Sequence, residues 1–492
     1  MGRPSYTLAG GARGRKIGPG RDRLIRCYGA GPMVLALTLT ALLSAPRAPA
    51  EASVVTYVPK LDALPALLPF FTAAGSRSTL FRPEGWRGQA HPVLEFDVTD
   101  KASLEAAGVD PASSLTMSRL GERSVSCVAL KDVKRFTQAS QERLQRLGEV
   151  YTKQEGGVTT VGARDPLNRV LAGYVLAGNE SCAMTGHGLS VEKQLPELAK
   201  VLGKSAKGPG FALAQGLSGV AQVVVPKGAQ YGALTLSADG LTLTADAKAK
   251  GLPLATLAGA GNSPYAKLSA PGLAVVRARL AKPALGPVLE QVLRQVPGGK
   301  ALSPLSAQVA PLLTGNVALF AARVKVTQGL RTNEARYFAV KHVLLAEVSD
   351  AAAVQALLGG LDAAALASRA GKLEVGLSGT TLYLANDTAA KDAALKALDG
   401  AAGKQAHAGE AVVDPKLLAD GLAQVPLLEA LQAPELAGLV AAATELGPLL
   451  LASTRVSGWV DGAGAGTHRG QAVWELDAAK FPGANAGKAT TP

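Results

Sequence analysis

The 492-residue sequence is poor in the residues that most often carry metal and redox chemistry. It has five histidines and three cysteines, and aromatic residues make up 4% of the chain. No two of these histidines or cysteines have the H-x-x-H, H-E-x-x-H or C-x-x-C spacing that places two ligands on one helix face or turn. We therefore expect no metal site and no cofactor, and we expect each histidine to be exposed or packed in the core.

The sequence also lacks a complete catalytic motif. "SVEK" from Ser190 has the S-x-x-K spacing of penicillin-interacting serine enzymes, but their S-D-N and K-T-G motifs do not follow it. "LGKS" from Leu202 lacks the earlier glycine of a phosphate-binding loop. The glycine-rich "DGAGAGTHRG" from Asp461 leads into a predicted strand, whereas a dinucleotide site needs a helix there. We therefore expect a noncatalytic protein with no catalytic or cofactor-binding residues.

The first fifty residues have the pattern of a secretory signal peptide. The basic stretch "GRKIGPGRDRLIRCYGAGP" precedes the short apolar run "MVLALTLTALLSA", and small residues at Ala48 and Ala50 follow as a cleavage signature. The apolar run has about a dozen residues, whereas a membrane-spanning helix needs ~20. We predict cleavage near Ala50 and a mature protein that is periplasmic or secreted. An uncleaved N-terminal membrane anchor is the alternative.

The basic charge of the chain is concentrated in this leader. The whole chain has a formal net charge of +13, and residues 1–50 contain eight Lys or Arg and one acidic residue, a net +7, which leaves +6 for the rest. The remaining charges are interspersed, and no basic cluster alternates with aromatic residues. The sequence therefore predicts no nucleic-acid partner. An envelope protein or an apolar ligand is the expected partner.

Two cysteines, Cys127 and Cys182, lie beyond the leader, and both are in strand-like segments. An even number of cysteines in an exported protein favours a disulfide. We predict that these two residues form a structural bridge. Two free buried thiols are the second interpretation, and a reactive or metal-binding pair is the third.

A repeated passage shapes the fold prediction. "VLEFDVTDKASLEA" from Val93 is echoed without a gap by "VLLAEVSDAAAVQA" in the second half of the chain. In each copy an extended run ends at an aspartate, Asp100 or Asp350, which is placed to cap a following helix. Asp132 and Asp387 precede two later predicted helices in the same way. A repeated carboxylate can be catalytic, but neither copy has an evident partner, so we predict all four aspartates as helix caps.

Further correspondences follow in the same order along both halves, which predicts a tandem duplication. Each half starts with a short strand before a leucine-rich helix and ends with a hairpin-like passage, such as "LTLSADGLTLTA", whose Asp-Gly pair favours a tight turn. We predict an α+β fold of two similar tandem domains, each a mainly antiparallel sheet with helices packed against it. The domains span residues 51–252 and 253–482, and residues 483–492 form a disordered tail.

The opening "VVTYVPKLDALPALL", the two-half pattern and "AGVDPASSL" after the first copy of the echo resemble an uncharacterised class of exported or membrane-anchored bacterial proteins. That class is a domain of unknown function built of repeated α+β units. The resemblance covers most of the mature chain and implies a location in the cell envelope and no established catalytic residues. This chain departs from many members of the class because it lacks a clear permanent anchor.

Three functions are compatible with these patterns. The leading hypothesis is a noncatalytic cell-envelope protein that acts as a scaffold or partner-binding module. The alternative is a carrier or sensor that holds an apolar, lipid-like ligand between the sheet and the Leu/Ala-rich helices, which requires a large apolar cavity. The third is an enzyme of unrecognised type, which requires Asp100 or Asp350 to meet His, Arg or Lys in a cleft.

Overall fold

The computed structural model describes residues 48–83, 93, 96–185, 190–252, 257–269, 272–295, 303–326, 338–360, 373–424, 437–464 and 466–481. These residues form a mixed α+β fold in which helices cover a large antiparallel sheet of 18 strands, so the predicted α+β class is confirmed. Most of the predicted signal peptide and the whole predicted tail lie outside the described residues.

The strands are labelled in chain order, and β11 and β17 form a small sheet of their own. Their bounds are β1 Val54–Val58, β2 Leu115–Leu120, β3 Arg123–Ala129, β4 Glu149–Glu155, β5 Val158–Arg164, β6 Val170–Ala177, β7 Glu180–Thr185, β8 Ala221–Val225, β9 Tyr231–Asp239, β10 Thr242–Lys250, β11 Gly261–Ser263, β12 Ala274–Arg279, β13 Leu313–Val326, β14 Phe338–Val348, β15 Glu374–Ser378, β16 Thr381–Ala385, β17 Gly403–Gln405, β18 Gly409–Val413, β19 Ser453–Gly462 and β20 Thr467–Leu476.

The α-helices are also labelled in chain order. Their bounds are α1 Leu68–Gly75, α2 Lys101–Ala106, α3 Val133–Leu147, α4 Ser190–Leu198, α5 Pro209–Ala214, α6 Lys282–Gln295, α7 Ser303–Val309, α8 Ala351–Gly359, α9 Thr388–Lys396, α10 Pro415–Ala423 and α11 Ala437–Leu451. Short 3₁₀ turns occupy Leu61–Leu67, Thr79–Phe81, Ala310–Leu312 and Ala478–Lys480.

Two hairpins meet in the middle of the large sheet. β9 and β10 form one of them around Gly240, whose φ of 56° is a conformation that glycine adopts without steric cost. β19 and β20 form the other. β10 pairs antiparallel with β20 from Thr242, opposite Glu475, to Lys250, opposite Thr467. We call this pairing the seam. Because of it, one continuous sheet contains strands from both halves of the sequence.

Away from the seam, the strands follow the same order of connection on both sides. The first flank runs β10, β9, β8, β1, β2, β3, β7 and β6, and then adds the hairpin of β5 and β4. The second flank runs β20, β19, β18, β12, β13, β14, β16 and β15. The opening strands β1 and β12 are therefore fourth from the seam, and β3 and β14 are sixth.

The two copies of the sequence echo have different structures. In the second copy, β14 leads to Asp350, which caps α8. In the first copy, residues 96–100 are not in a strand, so the strand prediction is wrong there. The carboxylate of Asp97 instead accepts hydrogen bonds from the amide and hydroxyl of Thr99, at 2.8 and 2.6 Å, and such local bonds compete with a strand ladder. By its place after β3, Asp132 is the counterpart of Asp350 in the sheet.

The largest hydrophobic cluster lies on one face of the first flank. It contains fully buried aromatic residues, among them Phe70, Phe71 and Phe136. It also contains Leu449 from α11 and Leu476 from β20, which come from the far end of the sequence. Burial of apolar surface is the main favourable contribution to folding, so this part of the first flank is completed by the last elements of the chain.

Candidate functional site

An open groove of about 1210 Å³ lies on the first flank. It lies on the face of the sheet that carries Cys127 and Cys182, which we call the disulfide face. Residues of β1, β2, β3, β7 and α4 line it, together with the segment that follows α4, Phe211 of α5 and Pro226. Residues 48–51 line it as well, and the carbonyl of Ala50 accepts a hydrogen bond from Nζ of Lys227 at 2.7 Å.

The floor of the groove is apolar because alternate residues of neighbouring strands share one face. Val55 is opposite Ser118, and Val125 lies between Ser118 and Met184, so the four residues form one row across the strands. Val55 and Met184 line the groove and are almost completely buried. Val201, which follows α4, packs in the same hydrophobic cluster as Met184. The groove thus offers apolar contact along the sheet.

A disulfide lies next to this floor. Cys127 of β3 and Cys182 of β7 are directly opposite each other and form the predicted bridge, which is confirmed. Both residues are buried in the cluster that contains Met184, Val191 and Leu195. The bridge therefore holds together two of the strands that line the groove, beneath the apolar side of α4.

The rim of the groove carries an excess of positive charge. Its lining includes Arg123 and three lysines against two carboxylates, which is a net +2. Lys200 is paired with Glu197 at 2.8 Å, on the exposed side of α4 and the turn after it. Within the described part of the chain, Arg123, Lys204 and Lys207 form no ion pair. These three cations are available to an anionic group at the mouth of the groove.

Two buried polar atoms near the groove have no hydrogen-bond partner in the described structure. They are Oε1 of Gln194, which lines the groove, and Oγ of Ser118 in the row of residues between Val55 and Val125. Buried polar groups are nearly always paired in folded proteins. The groove lining therefore contains one hydrogen-bond acceptor without a partner among the described residues, Oε1 of Gln194, while the hydroxyl of Ser118 is buried next to the floor.

A second, much smaller apolar cavity lies on the second flank. It has a volume of about 70 Å³, and Leu289, Leu293, Leu344 and Leu384 are among the residues that line it. Ligand sites usually measure roughly 300–1,000 Å³. This cavity lies between the sheet and leucine-rich helices, and it is too small for a lipid-like ligand. The groove on the first flank exceeds that range.

The four predicted helix caps lie outside the residues that line the groove. Their carboxylates accept hydrogen bonds from the first turns of the following helices. The contacts are Asp100 with Ala102 N at 3.0 Å, Asp132 with Lys134 N at 3.0 Å and Arg135 N at 3.1 Å, Asp350 with Ala353 N at 2.9 Å, and Asp387 with Ala390 N at 3.1 Å. Among described residues, neither Asp100 nor Asp350 forms an ion pair.

A polar cluster of β19 and the residues just before β18 was not predicted. Nδ1 of His407 lies 2.8 Å from a carboxylate oxygen of Asp461, and the imidazole stacks on Trp459 with ring centroids 4.0 Å apart. From the sequence, His407 is expected to be exposed or packed in the core like the other histidines, and Asp461 opens a glycine-rich stretch with no predicted site. Their 54-residue separation matches no motif, so only the sheet topology brings them together. His91 and His187 lie outside the described residues.

The described residues contain no group of three or more His, Cys, Asp or Glu that could hold a metal ion. Within the same residues, every helix is too short or too polar to cross a bilayer. Comparison of the chain with protein families, curated proteins and solved structures finds no match. A functional proposal therefore depends on the geometry of the groove and its charges.

Proposed function

We propose that this protein is a noncatalytic, exported binding protein of the cell envelope, and that the groove on the first flank holds an anionic amphiphile with a single acyl chain. The observation that carries this proposal is the combination of an apolar floor with three unpaired cations at the rim, Arg123, Lys204 and Lys207. An acyl chain matches the floor, and a carboxylate or phosphate headgroup matches the rim.

The energetics favour this ligand class over a purely polar one. Each methylene transferred from water onto the apolar floor contributes about 0.8 kcal/mol. The lysines are exposed, and a solvated ion pair contributes only ~0–1 kcal/mol. Affinity therefore comes mainly from the acyl chain, while the cations select an anionic headgroup and orient it toward the mouth of the groove.

The groove favours a carrier or sensor over a scaffold. A scaffold needs a partner surface, and a groove of about 1210 Å³ is better suited to enclosing a small molecule. The site differs from the expected one, because α4 and the strands of the first flank form it instead of the Leu/Ala-rich helices of the second half.

We also propose that the two flanks arose by tandem duplication, with halves near residues 51–252 and 253–482. The support is the shared order of eight strands counted from the seam. The export signal and the resemblance to envelope proteins support the proposed location. Cleavage near Ala50 would remove Ala48, Pro49 and Ala50 from the groove lining and leave its strands, α4 and cations in place. In this scheme the groove that holds the amphiphile belongs to the first flank.

A displacement assay tests the binding proposal. Purified protein is titrated with cis-parinaric acid, a fluorescent fatty acid, and the probe is then displaced with palmitate. We expect saturable binding that weakens about tenfold in the double variant Lys204→Glu, Lys207→Glu, because two attractive charges become repulsive. Ala206→Trp, which places a bulky side chain in the groove lining, should also reduce binding.

The matched control is Lys404→Glu, Lys416→Glu. It reverses the charge of two exposed lysines in the second half, so the net charge of the protein changes as much as in the groove variant. This control should bind the probe like the unmodified protein. Absence of saturable binding, or equal weakening in both double variants, would show that the groove is not the site. Weaker displacement of the probe by hexadecanol, the neutral analogue of palmitate, would indicate recognition of the headgroup by charge.

A further inference from the structure

Another cavity, different from the two described above, lies on the disulfide face near the seam and away from the groove. It has a volume of about 350 Å³ and is lined by residues of β12, β18, β19 and β20, with His407 at one side. A single row of cross-strand neighbours connects it to the disulfide. The row runs Cys127, Thr116, Tyr57, Gln222, Thr235, Asp246, Gln471, Trp459, Glu410 and Arg277.

Several polar side chains in this row are held in place by one another. Arg277 and Glu410 form an ion pair at 2.9 Å, and both side chains are largely buried. Nε1 of Trp459 donates to Oε1 of Gln471 at 3.3 Å, and Nε2 of Gln471 donates to Asp246 at 3.1 Å. A network of this kind fixes side-chain orientation before a ligand binds.

The indole of Trp459 is positioned from a second direction. The imidazole of His407 stacks on it at an interplanar angle of 9°. One carboxylate oxygen of Asp461 contacts Nδ1 of His407 at 2.8 Å, and the other accepts from the amide of Ala408 at 2.7 Å. The guanidinium of Arg469 lies 5.8 Å from the centre of the indole ring. Trp459 is therefore a fixed, partly buried wall of the cavity.

Three other lining residues retain free hydrogen-bonding groups. Arg455 and Glu475 are directly opposite each other on β19 and β20, yet the described structure shows no ion pair between them. Ser457, also in the lining, has no side-chain hydrogen bond to the described residues. The cavity thus combines an aromatic wall with a cation, a carboxylate and a hydroxyl whose side chains have no partner within the described ranges.

We propose that this cavity binds a neutral sugar, with a pyranose ring beside Trp459 and its hydroxyls bound by Arg455, Ser457 and Glu475. A sugar ring has apolar C–H groups that pack on aromatic rings and many hydroxyls that both donate and accept. The lining contains two arginines, Arg277 and Arg455, and two glutamates, which is a net charge of zero with neutral histidine. This balance of charges favours a neutral ligand, whereas the lining of the groove has a net charge of +2.

The volume agrees with this choice of ligand. About 350 Å³ lies at the lower end of the range for small-molecule sites, ~300–1,000 Å³. Such a cavity accommodates one terminal sugar better than a long chain or a protein segment. The site is independent of the proposed function, because none of its lining residues lines the groove.

Saturation-transfer NMR on the purified protein tests the proposal. The probes are the methyl glycosides of glucose, galactose, mannose and N-acetylglucosamine and the corresponding disaccharides. We expect saturation transfer to at least one of them at millimolar concentration, with the strongest signals from ring protons. Trp459→Ala should weaken binding at least tenfold. The double variant Arg455→Met, Glu475→Gln should do the same, and it changes only residues at the surface of the cavity.

The matched control is Trp474→Phe, because Trp474 lies on the opposite face of the sheet against Phe70 and Phe81. Sugar binding should survive this change and also the Lys204→Glu, Lys207→Glu double variant of the groove. Absence of transfer to every probe would overturn the proposal. Equal weakening by Trp474→Phe, or unchanged binding in Arg455→Met, Glu475→Gln, would overturn it as well.

Discussion

The two flanks share a strand order but differ in what covers their disulfide face. On the first flank, α4 and the segment after it leave a groove with unpaired cations at its rim. On the second flank, α9 packs Ala390 and Ala394 onto the sheet beside Tyr265, which is fully buried, and burial raises the pKa of that tyrosine above its ordinary value. Small alanine side chains permit close packing. The sheet is therefore closely covered beside α9 on the second flank, whereas α4 leaves a groove on the first flank.

The flanks also differ in how their cores are completed. The cluster on the first flank includes Leu449 of α11 and Leu476 of β20. The carboxylate of Glu445, also on α11, accepts hydrogen bonds from the amide of Thr79 at 2.7 Å and the hydroxyl of Ser78 at 3.2 Å. The clusters on the second flank contain only residues of the second half. The first flank therefore depends on the second half for packing.

The largest expected difference between the flanks comes from the disulfide. Cys127 pairs with Cys182 on β3 and β7, whereas the corresponding pair on β14 and β16 is Leu345 with Tyr383. The bridge joins residues 55 apart, for which chain-entropy estimates give a stabilisation of roughly 4 kcal/mol. We expect Cys127→Ala, Cys182→Ala to lower the free energy of unfolding by about that amount in urea titrations.

A reducing agent provides the control for this measurement. It should destabilise the unmodified protein in the same way and have no effect on the double variant. If the unfolding free energy is the same with and without the bridge, the covalent link does not distinguish the two flanks energetically.

A somewhat smaller effect is expected from the helix that the first flank receives from the second half. Leu449 is fully buried, and removing such a side chain costs roughly 2–5 kcal/mol, with ~3 as a central value. Leu449→Ala should therefore lower the unfolding free energy by about 3 kcal/mol. Leu451→Ala is the control, since Leu451 is 50% exposed and its removal should change stability by less than about 0.5 kcal/mol. Equal effects would contradict the packing of α11 on this core.

The smallest expected effect is the pH dependence of the contact between Glu445 of α11 and Thr79. The hydrogen bond from Thr79 lowers the pKa of Glu445 below its ordinary value of 4.5. A carboxylate with a lowered folded pKa contributes stability above the unfolded pKa, and that contribution is lost as the pH falls through the folded pKa. We expect Glu445→Gln to be less stable than the unmodified protein at neutral pH and equally stable in acid, as measured by urea unfolding across a pH series.

Glu122→Gln, in the exposed turn between β2 and β3, is the matched control and should show no such convergence. Glu445→Gln could instead remain less stable than the unmodified protein by the same amount below the folded pKa. The charge on Glu445 would then not be what holds α11 to Thr79.

Features set by local contacts or by simple elimination could be predicted from the sequence. A capping aspartate contacts amides two or three residues away, as Asp350 does with Ala353, and the Asp-Gly turn between β9 and β10 is equally local. The disulfide was predictable because only two of the three cysteines lie after residue 50. These features need no knowledge of the sheet topology.

Features that depend on distant strands could not be predicted in the same way. The echo aligns Asp100 with Asp350, but Asp132 occupies the matching place in the sheet, because a local turn at Asp97 replaces the strand in the first copy. The groove arises where α4 meets strands from three separate segments, and no short motif records that meeting. The contact of His407 with Asp461 likewise follows from the pairing of β18 with β19.

The seam also determines the order in which the chain can finish folding during its synthesis. β10 is complete at Lys250, but its partner β20 ends only at Leu476. Until then β10 is an open sheet edge, and the core beneath α1 lacks Leu449. Open edges and exposed apolar surface favour aggregation, and contacts between distant residues form slowly. The first flank is thus the first to be synthesised and the last to be completed.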